Sequence, residues 1–148
     1  MSSLIGLDGT QLLKPLVALA GWTFVQETWM YATRIPAIYK YNVSFDEDKV
    51  KHDKHTKIPL KVQRKADNYN NLHEQPQVFY AIAIVLTLLG DTNDYTYRLA
   101  WSYTGMRIAH SLFHNLVNEP NGRFALFTTS SVILLGLTAR AASLLFCK

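Results

Sequence analysis

Cysteine is nearly missing from this chain of 148 residues, and the single one, Cys147, stands one residue from the end. No intrachain disulfide can form and no metal site can be built from thiolates, so Cys147 is read as a reduced, inert thiol. Charge is scarce over most of the chain as well. Nine of the fifteen Lys and Arg, and four of the eleven Asp and Glu, fall within residues 34–65. The net charge of +4 is therefore a property of one loop. A nucleic-acid surface needs basic residues spread over a folded face with interleaved aromatics, and none is expected. The N-terminus, "MSSLIGLDGTQLLKPLVALAG", lacks a basic n-region and a convincing cleavage site, so it is expected to be retained as helix. No internal repeat is apparent.

What is present is four mostly apolar segments, which the length places in a single domain spanning residues 1–148. The first, residues 12–31, closes with Trp29 and Tyr31, side chains suited to an interfacial belt. The second is apolar only over residues 76–89, short of the roughly 20 residues a hydrocarbon core requires. Its helix is expected to begin upstream, inside the polar run "NNLHEQ". The third, residues 95–117, carries Arg107, His110 and His114. The fourth, residues 124–146, has no charge before Arg140, which is expected to snorkel to the interface. A soluble four-helix bundle would show a charged face on each helix, and the fourth segment has none. The expected fold is all-α, an integral membrane bundle of four spans.

Orientation follows from Lys and Arg in the short loops. The loop at about 34–65 is basic and residues 90–94 contain no Lys or Arg. The first loop is thus expected in the cytoplasm, with both termini on the opposite side. The "NVS" sequon at Asn42 would then face the cytoplasm unmodified. "KHDKH" at residues 51–55 is read as a solvated charged stretch and not as a metal tract.

At 100° per residue Asp67, Asn70, Asn71 and Glu74 share one side of the second helix. Tyr103, Arg107, His110 and His114 share one side of the third. A charge at membrane depth faces a partner or a watery cavity, so Arg107 is expected to pair with Glu74, or with Glu27 of the first span. Two readings follow. One is a structural ion pair that fixes helix register; the other is a pocket holding a carboxylate, amides, imidazoles and a guanidinium, the groups that grip a small zwitterion. Arg123, after the turn "NEPNG", is either an interfacial anchor or a cation for an anion such as a thiolate, whose pKa falls beside fixed positive charge. His110 and His114 at i, i+4 are weak evidence for a metal, and no metal is expected.

At the runs "NLHEQPQVFYAIAIVL", "LAWSYTGMRIAHSLFH" and "RFALF" the chain resembles the MAPEG family, membrane-associated proteins in eicosanoid and glutathione metabolism, in its bacterial-type branch. The resemblance covers all four segments. It implies four transmembrane helices per subunit, a homotrimer, and glutathione as co-substrate between subunits near the cytoplasmic side. It further implies that Asn71 and Glu74 hold the amide and amine parts of glutathione, with Arg107 and His110 as the Arg-x-x-His of helix three. His114 stands where the family has a tyrosine, as does Phe127 in helix four. Arg123 matches the arginine that stabilises the thiolate, the catalytic role, and Arg34 the arginine near the end of helix one. Asp67 occupies a position that is basic in glutathione-using members, leaving Arg64 or Lys65 to supply that cation.

Two functions are therefore expected. One is a glutathione-dependent transferase or peroxidase acting on lipophilic electrophiles dissolved in the lipid bilayer. The other is a non-catalytic membrane scaffold or complex subunit that has lost glutathione chemistry.

Overall fold

The computed structural model describes residues 10–44 and 46–147, and within these all side chains except those of residues 47, 48, 50, 51 and 55. The reading of the N-terminus rests partly on residues 1–9, which lie outside the described residues, as do the side chains of Lys51 and His55. Six α-helices are formed: α1 (Leu13–Lys40), α2 (Glu47–Thr56), α3 (Leu60–Asn71), α4 (Gln75–Leu88), α5 (Asp94–Leu116) and α6 (Pro120–Phe146). No strand occurs among the described residues. The all-α expectation holds.

The helices make four columns: α1, the α3–α4 pair, α5 and α6. Short turns set the neighbours, since a connection of a few residues forces consecutive helices to pack antiparallel. Residues 89–93 join α4 to α5 through Gly90, whose φ of +67° ends α4. The Asp91 amide there reaches back to the Leu86 carbonyl, a six-to-one closure that needs a left-handed residue. Asn118, at φ +58°, ends α5 the same way, its amide donating to the Phe113 carbonyl.

Burial is distributed in reverse of a soluble protein. Facing inward are Gln26, Asn68, Thr104, Arg107, His110, Ser111, His114, Asn115 and Ser130, while Phe24, Leu88, Val132, Leu135 and Phe146 face outward. A chain surrounded by water does not sort this way; one surrounded by hydrocarbon does, because each polar group must then be satisfied internally. By length and composition alone, α6 is the one helix among the described residues that qualifies as a span. The other columns fall short of that test because their polar residues, though turned inward, lower the average.

The core between α1, α4, α5 and α6 is built on Leu19, Phe79, Leu86, Tyr103 and Leu137. Phe79 and Tyr103 stack with ring centroids 4.5 Å apart, worth about 0.5–1.5 kcal/mol beyond area burial.

Four expectations are corrected. The second helix does start upstream, but it is not continuous: α3 stops at Asn71 and α4 begins at Gln75. Pro76 lies in the first turn of α4 and lacks the N–H that would bond back to residue 72. The basic loop is not simply solvated chain but folds as α2 and α3, packed on the end of α1 through Ala37, Val43 and Ile58. Asp53 anchors it, accepting from Lys57 Nζ at 2.7 Å and from the Ser44 amide at 3.0 Å; these bonds hold its carboxyl below the ordinary value. Arg140 does not snorkel, because Asp91 in the α4–α5 turn takes both Nε (3.0 Å) and Nη2 (3.2 Å) of its guanidinium. Finally, α1 runs to Lys40, well past residue 31. At 1.5 Å per residue its 28 residues span about 42 Å, more than the hydrocarbon core of about 30 Å.

Candidate functional site

The break between α3 and α4 is where the polar residues gather. Arg107, in the middle of α5, is completely buried. Its Nη2 donates to the Asn71 carbonyl at 2.8 Å and its Nη1 to Gln75 Oε1 at 3.4 Å. The guanidinium lies 5.5 Å from the centroid of the Phe127 ring, on its face. No ion pair joins Arg107 to Glu74 or to Glu27, so the expected pairing is corrected. The reason is chemical: interrupting the helix frees carbonyls, and a guanidinium with five donors satisfies one of them as well as a carboxylate would satisfy it.

Arg123 is set by the α5–α6 turn. Glu119 caps α6, accepting from the amides of Asn121 (3.0 Å) and Gly122 (2.6 Å), and Pro120 takes the first helical position, where no N–H is needed. Arg123 Nη1 donates to Asn118 Oδ1 at 2.8 Å, while its buried Nε has no partner. Gly122 allows the turn to close: a Cβ there would lie 2.6 Å from the Phe113 ring.

Two hollows meet at Asn71 and Arg123. One, of about 380 Å³, is lined by charged and polar side chains, among them Arg64, Asp67, Glu74, His114 and Asn118. The other, of about 320 Å³, is walled by His110, Pro120, Phe124 and Phe127. The polar hollow holds two guanidiniums and two carboxylates, which is complementary to a molecule bearing both signs of charge. The second offers aromatic and aliphatic surface directly beside it.

The sequence candidates divide accordingly. Asn71, Glu74, His114 and Arg123 come together on the polar hollow, with His114 Nδ1 3.4 Å from Asn71 Nδ2. Asp67 and Asn70 join them despite the helix break. His110 faces the apolar hollow, 6.1 Å from the Phe127 ring centroid. Arg107 sits behind the Phe127 wall and lines neither. Arg64 reaches the polar hollow, whereas Lys65 turns to the Trp29 ring at 5.5 Å. Arg34 lines a separate cleft with Lys54, so a single chain does not bring it to Arg123.

Sequence reasoning missed a buried amide cluster behind the site. Gln26 Oε1 accepts from Asn68 Nδ2 (3.1 Å) and Asn115 Nδ2 (2.6 Å), and Asn68 Nδ2 also donates to Ser111 Oγ (2.7 Å). It also missed Gln75, which donates to Ser131 and accepts from Ser130 of α6. The available signals were a Gln inside an apolar run and Ser111 and Asn115 at i, i+4. Residues 12–143 match the sequence pattern described as the MAPEG family. No curated protein and no solved structure matches the chain.

Proposed function

Because the chain belongs to the MAPEG family, we propose that it is a multi-pass membrane protein that binds glutathione in the polar hollow and transfers its sulfur to a lipophilic electrophile. The observation that carries this reading is the meeting of a polar and an aromatic hollow at Arg123. Glu74 accepts the γ-glutamyl ammonium, Asn71 and His114 bond the peptide amides, and Arg64 takes a carboxylate. Arg123 lies where the thiol projects, its Nε free to donate.

The step needs a thiolate. A free thiol ionises near pH 8.5, and a fixed guanidinium lowers that value by favouring the anion. The proton leaves to water. The thiolate then forms a carbon–sulfur bond with the electrophile held against Phe124 and Phe127, while the leaving group departs as an anion. His110 on the aromatic wall orients the acceptor, and Arg107 acts as a positioning residue by holding Asn71 through its carbonyl. Arg34 is outside the tripeptide site in this reading. The basic helices α2 and α3 lie on the cytoplasmic side, both termini lie on the other, and the chain assembles as a homotrimer.

Asp67 favours a second reading. It adds a carboxylate to the hollow where a cation for the glutathione carboxylates is needed, and charge-assisted contacts are worth about 1.5–3 kcal/mol each. A chain that has lost glutathione would serve as a non-catalytic subunit or scaffold. Calorimetric titration of the purified protein with glutathione separates the two. Heat of binding, together with conjugation of a chloronitrobenzene that is lost in Arg123→Ala, supports the enzyme. No heat in detergent or in lipid contradicts it.

A further inference from the structure

The cleft that holds Arg34 is a second site. It has a volume of about 210 Å³ and lies between the end of α1 and the helices α2 and α3, with Arg34, Lys54, Asp67 and Asn70 as polar walls and Ile58, Val62 and Ala66 as apolar ones. Arg34, Lys54 and Asp67 have no hydrogen-bond or ion-pair partner among the described residues. Other charged groups close by are paired: Asp53 with Lys57. Two free cations and one free carboxylate around one cleft await a ligand carrying both signs.

The position along α1 identifies the source of that ligand. From Leu13 to Arg34 the helix rises about 31 Å at 1.5 Å per residue, which consumes the hydrocarbon core of about 30 Å. Arg34 therefore stands at headgroup depth. Ile35 and Tyr39 next to it are exposed, as side chains facing lipid tails and the interface are. The cleft is smaller than the roughly 300–1,000 Å³ of sites that enclose a whole drug-sized molecule, and it suits a headgroup whose tails remain outside.

The geometry points to a phospholipid site that selects an amine-bearing zwitterionic headgroup, with Arg34 and Lys54 on the phosphodiester and Asp67 and Asn70 on the ammonium. Ile58, Val62 and Ala66 pack against the glycerol carbons. The site is independent of glutathione binding.

The test is native mass spectrometry of the full chain released from bilayers containing equal phosphatidylethanolamine, phosphatidylglycerol and phosphatidylcholine. Phosphatidylethanolamine is expected to be retained in preference to the other two by about tenfold, the factor one charge-assisted hydrogen bond supplies. Lys54→Ala should lose that retention while its circular dichroism and glutathione titration stay as in the wild type. Asp67→Asn should turn the preference towards phosphatidylglycerol. Because Asp67 also lines the polar hollow, Lys54→Ala is the decisive variant. Unchanged retention in Lys54→Ala overturns the inference, as does a wild-type preference for phosphatidylglycerol. Inorganic phosphate displacing the lipid at equal concentration also overturns it, since the site would then be one for a free anion.

Discussion

Arg107 donates to the carbonyl of Asn71 across the break between α3 and α4, at 2.8 Å. The bond closes the gap that the helix interruption opens, and it holds Asn71 at the boundary of the two hollows. Removing the guanidinium leaves a buried carbonyl unpaired, at a cost of about 1–3 kcal/mol. Arg107→Leu should therefore melt at lower temperature in detergent, followed by circular dichroism. Arg107→Lys should not restore it, since an ammonium cannot both bridge Asn71 and Gln75 and stack on Phe127. A lysine variant as stable as the wild type would contradict this role.

Gln26 takes two amide donors at once. Gln26→Met keeps the volume and leaves the Asn68 and Asn115 amides competing for Ser111 alone. The expected loss is about 1–3 kcal/mol per unsatisfied group, read as a lower denaturation midpoint. A neutral result would mean that water enters the cluster freely.

Gly122→Ala puts a methyl within 2.6 Å of the Phe113 ring and 3.0 Å of Glu119 Oε2. Overpacking of this kind costs about 1–3 kcal/mol and must displace the start of α6, carrying Arg123 with it. Glutathione affinity should fall while helix content is retained. Unaltered affinity would show that the turn yields without moving Arg123.

Asp91 sets the acid sensitivity of the far end. Burial raises its carboxyl, but Arg140, the Asn93 amide and Thr96 outweigh this and hold it below its ordinary value of 3.8. As pH falls past that value the unfolded chain takes the proton first, so the stabilisation, complete above it, fades towards the lower folded value. Asp91→Asn should flatten stability against pH in this range. It should also lower stability at neutral pH by about 1–2 kcal/mol, the smaller end for charged bonds because Arg140 is 36% exposed. Parallel acid titrations of the two proteins check both points.

The four helical columns and the polar row on α5 were readable because they rest on periodicity and length. Tyr103, Arg107, His110 and His114 repeat at three to four residues and all face inward. The partner of Arg107 was not readable. Charge pairing pointed to Glu74, whereas the acceptor is a main-chain carbonyl that only the break at residues 72–74 exposes. Arg140 was misread for a related reason: its partner lies 49 residues away in sequence, in a turn whose position follows from how α4, α5 and α6 pack. The helices in the basic loop were hidden because their apolar contacts, Val43 and Ile58 on Ala37, are few and separated by charge.

The central claim is that Arg123 holds a glutathione thiolate at the meeting of the polar and aromatic hollows. Ultraviolet difference spectra of glutathione added to the protein in nanodiscs near neutral pH test it most directly. A thiolate band in the wild type that disappears in Arg123→Ala is the predicted result. No band in the wild type, or an equal band in both proteins, would contradict it.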